Sequence, residues 1–282
     1  MNDPIISFSN VSKSYPFYRH VRGIKNVLFN FPNSIRSLKE DQFEALRDIS
    51  FTISEGENFG IIGNNGAGKS TTLGLIAGVL KPNKGKVVVR GRVSPLLALG
   101  AGFHPELDGR DNIVLNGILM GLTRRQVISK LEEIVEFSEL GEFIDRPIRV
   151  YSSGMLARLG FSVVAHLDPE ILLIDEVLGV GDIRFQQKCL KKMLEFKEQA
   201  SVTTVLVTHS IGSIIELCDR AMWIENHVIK MIGEPREIAL TYSKASGVDL
   251  GLEDVKPLTS KALSAKMKGN SATDHPFGTA AR

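Results

Sequence analysis

Cysteine is scarce in this chain of 282 residues, which holds only Cys189 and Cys218. Neither stands at metal-ligand spacing and each sits in an amphipathic pattern, so both read as reduced core thiols, which suits the cytosol. Long apolar runs are missing too. Nowhere do the roughly 18 consecutive apolar residues of a membrane span occur. The opening Met1 to Ile6 carries neither a basic n-region nor an apolar h-region, so any membrane role is expected to come through a partner. Charge excess is also lacking. With 34 Lys and Arg against 32 Asp and Glu, the net charge of +2 gives no electrostatic case for nucleic acid. What remains is an ordinary globular composition, 43% hydrophobic and 23% charged, long enough for one large α/β domain with appendages.

The most specific feature present is Gly63, Asn64, Asn65, Gly66, Ala67, Gly68, Lys69 and Ser70, which fit G-x-x-x-x-G-K-[ST]. Glycines at these places let successive backbone N–H groups turn inward around a nucleotide's phosphates. The context agrees: Phe59 to Ile62 reads as a buried strand, and Ser70, Thr71 and the following residues to Ala77 read as a helix, whose N-terminus favours anions. The reading is a site for ATP or GTP. Lys69 is expected to reach the β/γ-phosphates and Ser70 to place its hydroxyl on Mg²⁺.

Around this loop the pattern alternates between periods. Ile5 to Asn10 and Ala45 to Ile53 alternate as half-buried strands of a small antiparallel β-subdomain. Residues 16–44 look inserted between them, with Arg19, Arg22, Lys25, Arg36 and Lys39 interleaved with Val27, Leu28, Phe29, Phe31 and Ile35. Pro32 divides the segment, which is either two short amphipathic basic helices or a solvated loop. From Gly109 to Phe143 apolar residues recur at spacings of three and four, and Tyr151 to His166 starts and forms another helix. Ile171 to Ile174 and Val202 to Val207 are apolar strands, with Phe185 to Gln199 helical between them. Such alternation argues a mostly parallel, two-sided sheet. Ala221 to Ile232 reads as a hairpin turning at Glu225-Asn226, Pro235 opens a last helix to about Lys244, and the composition from about residue 246 argues a weakly ordered tail.

Two further constellations carry chemistry. Ile171 to Glu176 ends a buried strand in two carboxylates, placing Asp175 for Mg²⁺ and Glu176 toward the water that attacks the γ-phosphorus. Tyr151, Ser152, Ser153 and Gly154 precede a helix, with two hydroxyls and a glycine where an N-cap and an anion site would be, though alone they signify only a helix cap. Upstream of Asp175-Glu176, however, they resemble the signature of the ATP-binding cassette family. That resemblance implies two ATPs held between two copies of the chain, with Ser152, Ser153 and Gly154 acting in trans. Further, Gly179 to Asp182 resembles the loop joining the two active sites, and His209 resembles the switch histidine that contacts the γ-phosphate. Tyr15 resembles the aromatic residue that stacks on adenine; simple packing is its other reading.

The resemblance covers about residues 5 to 235. It implies a P-loop NTPase cassette with a mostly parallel core sheet, an antiparallel β-subdomain and a helical subdomain. The nucleotide-binding domain would span 1–245, with the insertion at 16–44, the helical subdomain at 100–166 and a tail at 246–282. The stretches Leu99 to Asn112, Tyr151 to Met155 and Asp175 to Asp182 are similar to subunits that power export of capsular polysaccharide, O-antigen or teichoic acid. The implied assembly is a homodimer at the cytoplasmic face of the inner membrane, working with an integral membrane permease on a lipid-linked polysaccharide, without nucleic acid. Two departures stand out. Leu99 occupies the place of the usual glutamine that touches Mg²⁺ and water, and residues 246–282 are too short and polar for a carbohydrate-binding domain. Export of a drug, ion or lipid, or a soluble cassette with no transport role, are the alternatives.

Overall fold

The computed structural model describes residues 3–16, 42–96, 102–167, 169–175, 181–199 and 202–247. Most of the 16–44 segment, Leu99, Glu176, Gly179 and the tail from residue 248 lie outside them. The strands are β1 (Ile6–Pro16), β2 (Gln42–Ile53), β3 (Asn58–Ile62), β4 (Lys84–Val89), β5 (Val93–Leu96), β6 (Ile171–Asp175), β7 (Thr203–Val207), β8 (Arg220–Glu225) and β9 (Val228–Gly233). The helices are α1 (Lys69–Ile76), α2 (Gly109–Leu119), α3 (Arg124–Ser138), α4 (Ser153–His166), α5 (Ile183–Gln199), α6 (Ile211–Leu217) and α7 (Pro235–Ala245).

A six-stranded sheet in the order β5-β6-β7-β3-β8-β9 forms the centre. Its strands are parallel from β5 to β8, and β9 closes the edge antiparallel to β8. The continuous apolar character of β3, β6 and β7 follows from burial on both faces. Alternate residues divide between two cores. Ile171, Leu173, Val205 and Val207 join Leu73 of α1 on one face, and Leu172, Ile174 and Leu206 join Phe185, Cys189 and Met193 of α5 on the other. Both cysteines are buried free thiols, and burial pushes each up to about 12, so neither supplies a thiolate near neutrality.

The second sheet is antiparallel, in the order β2-β1-β4. Pro16 pairs with Gln42, so the chain enters and leaves the 17–41 segment at one point. The helical unit encloses a third core, in which Ile113 of α2, Val127 and Ile134 of α3, and Leu159 and Val163 of α4 meet. A capping box between Thr123 and Gln126 starts α3.

Several elements differ from the sequence expectation. β4, β5 and α6 were not expected. β4 is exposed or only half-buried and so lacks a clean alternation, β5 is a four-residue edge strand containing Pro95, and α6 has seven residues, too few to display a helical period. The hairpin turns one residue later than expected. Asn226 and His227 have φ of 50° and 69°, a left-handed pair suited to the twist of a tight hairpin.

Candidate nucleotide site

The carboxyl ends of β3, β6 and β7 lead into one cavity, as the ligand position of an open parallel sheet requires. From β3 the chain passes through Gly63 to Gly68 into α1. Gly68 stands at the helix N-cap with φ of 114°, and a Cβ there would lie 2.5 Å from Ala45 O and from Leu46 Cδ2. Only glycine satisfies both the backbone angle and the space. Gly63 is enclosed as tightly, since a Cβ on it would lie 2.2 Å from Ile224 O.

Lys69, 6% exposed, turns its ammonium back over the loop and donates to Gly63 O at 2.7 Å and Asn64 O at 3.1 Å. Its Nζ lies 3.4 Å from His209 Nε2, which brings together the first helix and a residue two positions beyond the end of β7. Ser70 Oγ donates to Asp175 Oδ2 at 3.4 Å. The cavity between them, about 360 Å³, is lined by Asn65, Gly66, Gly68, Lys69, Ser70, Thr71, Asp175 and His209 on the phosphate side, and by Phe43 and Ala45 on the other.

Tyr15 is not among these lining residues. It sits in β1 with Lys13 Nζ 5.2 Å from its ring centre, and its cross-strand partner in β2 is Phe43, which does line the cavity. Phe43 meets the ring of His227 edge-on at 5.2 Å. Sequence reasoning missed Phe43 because it lies outside the alternating stretch from Ala45 to Ile53.

Ser152, Ser153 and Gly154 stand apart from the cavity at the start of α4. Ser152 caps the helix by accepting from Met155 N at 3.2 Å, and Ser152 and Ser153 are exposed. Asp182 opens α5: its Oδ1 accepts from Phe185 N at 2.9 Å, and its Oδ2 pairs with Arg158 of α4. The Phe185 N–H, followed by Arg158, holds the Asp182 carboxyl below its ordinary value. This link between α4 and α5 had no signal in the sequence, because nothing local marks Arg158, whose half-buried side chain lies over the Phe185 ring, as the partner of a residue 24 positions away. Ahead of α2, the fully buried Asn112 donates to the carbonyls of His104, Leu107 and Asp108 and accepts from His104 N, fixing the turn that follows residue 101.

The donor set suits a magnesium ion. Ser70 and Asp175 offer two oxygens side by side, and among the described residues no group of three His, Cys, Asp or Glu forms a cage. Mg²⁺ commonly takes one or two protein oxygens and completes its shell with phosphate and water.

A glycine-walled loop on a helix N-terminus, with lysine, serine and aspartate converging on one cavity at the end of a parallel sheet, defines a P-loop nucleotide-binding protein. The ABC transporter profile matches residues 46–179. Over 244 residues the chain is 54% identical to the O-antigen export system ATP-binding protein RfbB of Klebsiella pneumoniae, covering 86% of this chain and 99% of that protein. It is 42% identical over 239 residues to the teichoic acids export ATP-binding protein TagH of Listeria innocua, covering 85% of this chain and 70% of the relative. Among solved structures, the ATP-binding cassette MJ0796 bound to ADP and Pi matches the fold with a TM-score of 0.64 at 21% identity, over 82% of this chain and 99% of that one. The chain belongs to the ABC transporter family, as one of its ATP-binding subunits.

Proposed function

We propose that this ATPase powers export of a lipid-linked polysaccharide, of the O-antigen or capsule kind, through a separate membrane subunit. The observation that carries the ATPase chemistry is the convergence of Lys69, Ser70, Asp175 and His209 on one cavity. The glycan rests on the relatives: proteins of O-antigen and teichoic acid export match it over most of its length. No helix among the described residues is long and apolar enough to cross a membrane. The relatives are named as ATP-binding proteins of export systems, and on that ground the passage for the glycan is assigned to a partner, with this chain at the cytoplasmic face of the inner membrane.

In this reading the loop N–H groups from Gly63 to Ser70 and the Lys69 ammonium hold the β- and γ-phosphates, while Thr71 and α1 present their N-terminal dipole to them. Ser70 and Asp175 hold Mg²⁺, which neutralises the charge on the transferring phosphoryl group. Glu176 takes a proton from or polarises the attacking water, a role worth roughly 10²–10⁴-fold, and His209 contacts the γ-phosphate. Ser152, Ser153 and Gly154 come from a second copy, a reading supported by the exposure of the two serines and by the absence of all three from the lining of their own chain's cavity. Asp182, tethered by Arg158, holds the loop that joins the two sites. Phe43 forms the wall toward the adenine, and Tyr15, its cross-strand partner, backs it from β1.

The test is Lys69→Ala in cells and in the membrane-embedded assembly. Phosphate release should fall to background and surface glycan should be lost together. Intact glycan display without phosphate release would remove the proposed coupling.

A further inference from the structure

The loop that cradles the phosphates is braced from the C-terminal end of the chain. Tyr242, on α7, is 8% exposed and donates its hydroxyl to Asn64 Oδ1 at 3.1 Å, across 178 positions of sequence. Its ring meets Trp223 of β8 edge-on at 5.7 Å. The residue after Trp223, Ile224, presents the backbone oxygen against which Gly63 is closed. Gly63 and Asn64, the first two residues of the loop, are therefore seated on β8 and α7. The Asn64 carbonyl in turn accepts from Lys69 Nζ, so one residue receives both the α7 hydroxyl and the phosphate-binding ammonium.

We infer that Tyr242 is a positioning residue for phosphate binding, and that α7 and the nucleotide site are thermodynamically linked through the Tyr242–Asn64 hydrogen bond. The inference rests on the nucleotide site described above. Asn64 is exposed; its carbonyl is held within the loop by Ala67 N and Lys69 Nζ, and its side chain is held from outside the loop by Tyr242, on a helix that is itself firmly anchored. Ile238 and Ala239 of α7 are fully buried, and its first turn is capped by Glu234, which accepts from Arg236 N and Glu237 N. Holding Asn64 keeps the loop's N–H groups aimed at one centre and so lowers the ordering cost of binding. Linkage is reciprocal, so nucleotide that stabilises this loop must stabilise the seating of α7 by the same factor.

Tyr242→Phe removes the hydroxyl and keeps the ring against Trp223. Titrating the purified full chain with a fluorescent ATP analogue and Mg²⁺ should show affinity weakened about two- to tenfold, the range of one hydrogen bond. Asn64→Ala should weaken it comparably, and the double variant should be no worse than either single one, since both remove the same bond. Amide exchange in residues 235–245 should slow on adding nucleotide to the unmodified chain and respond less in Tyr242→Phe. A merely structural tyrosine would give a lowered unfolding midpoint with unchanged affinity, or additive effects in the double variant; either overturns the inference. Unmodified chain that fails to bind the analogue would overturn the nucleotide reading itself, a distinguishable result.

Discussion

At the scale of single residues, the site depends on backbone geometry as much as on charged groups. Gly68 has φ of 114° and no room for a methyl group between it and Ala45 O. Strain in this region of backbone space costs about 1–3 kcal/mol before any clash, and the clash is with backbone, which cannot swing aside. Gly68→Ala is expected to lower thermal stability and reduce MgATP affinity at least tenfold, since β2 and the helix N-terminus must separate to accept it. Calorimetric titration beside a melting curve checks this; native affinity in the variant would show that the loop tolerates a different path. Lys69 and Ser70 were legible in sequence because their spacing from the glycines is fixed by the phosphate geometry. Phe43 and Tyr242 were not, since nothing local distinguishes an aromatic residue that reaches the cavity or the loop from one that fills the core.

At the scale of elements, burial explains both what could be read and what could not. β3, β6 and β7 announce themselves as apolar runs because both faces of the sheet are covered. β4 and α6 do not, because one is half-exposed and the other too short. The contact among α3, α4 and α5 is a cluster of rings: Phe137 lies 4.7 Å from His166, 5.9 Å from Phe185 and 6.1 Å from Phe161. Burial, opposed by the Ser162 carbonyl and joined by Lys192, holds the His166 imidazole below its ordinary value of 6.5. The unfolded chain therefore binds the proton more readily. Stability is fully present above about pH 6.5 and declines as pH falls from there toward the folded value. Asp182 and Glu170, whose carboxyls are held low by Phe185 N–H and by Arg92 respectively, lose their contributions only at more acidic pH. Urea unfolding at about pH 7.5 and about pH 5.5 should show a loss that His166→Gln reduces. An identical loss in the variant would assign the pH dependence elsewhere.

At the scale of the whole molecule, the two halves of the proposed reaction centre are on separate surfaces of one chain. The P-loop cavity gathers Lys69, Ser70, Asp175 and His209, whereas Ser152 and Ser153 project from the exposed start of α4. In the proposed reading one copy supplies a phosphate site and a separate signature, and the account closes only if a second copy brings its signature to the first copy's phosphates. The architecture of parallel sheet, antiparallel sheet and helical unit was legible because each has its own hydrophobic period. The relation between α4 and α5 through Arg158 and Asp182 was not, because a salt link between separate elements leaves no periodic trace. The most direct measurement is the mass in solution of the Glu176→Gln chain, by light scattering, with and without saturating MgATP. Slowed hydrolysis with retained binding should double the mass when nucleotide is added and return it to that of one chain when nucleotide is removed. A single chain at saturating MgATP, with nucleotide binding shown in the same sample, would contradict the account.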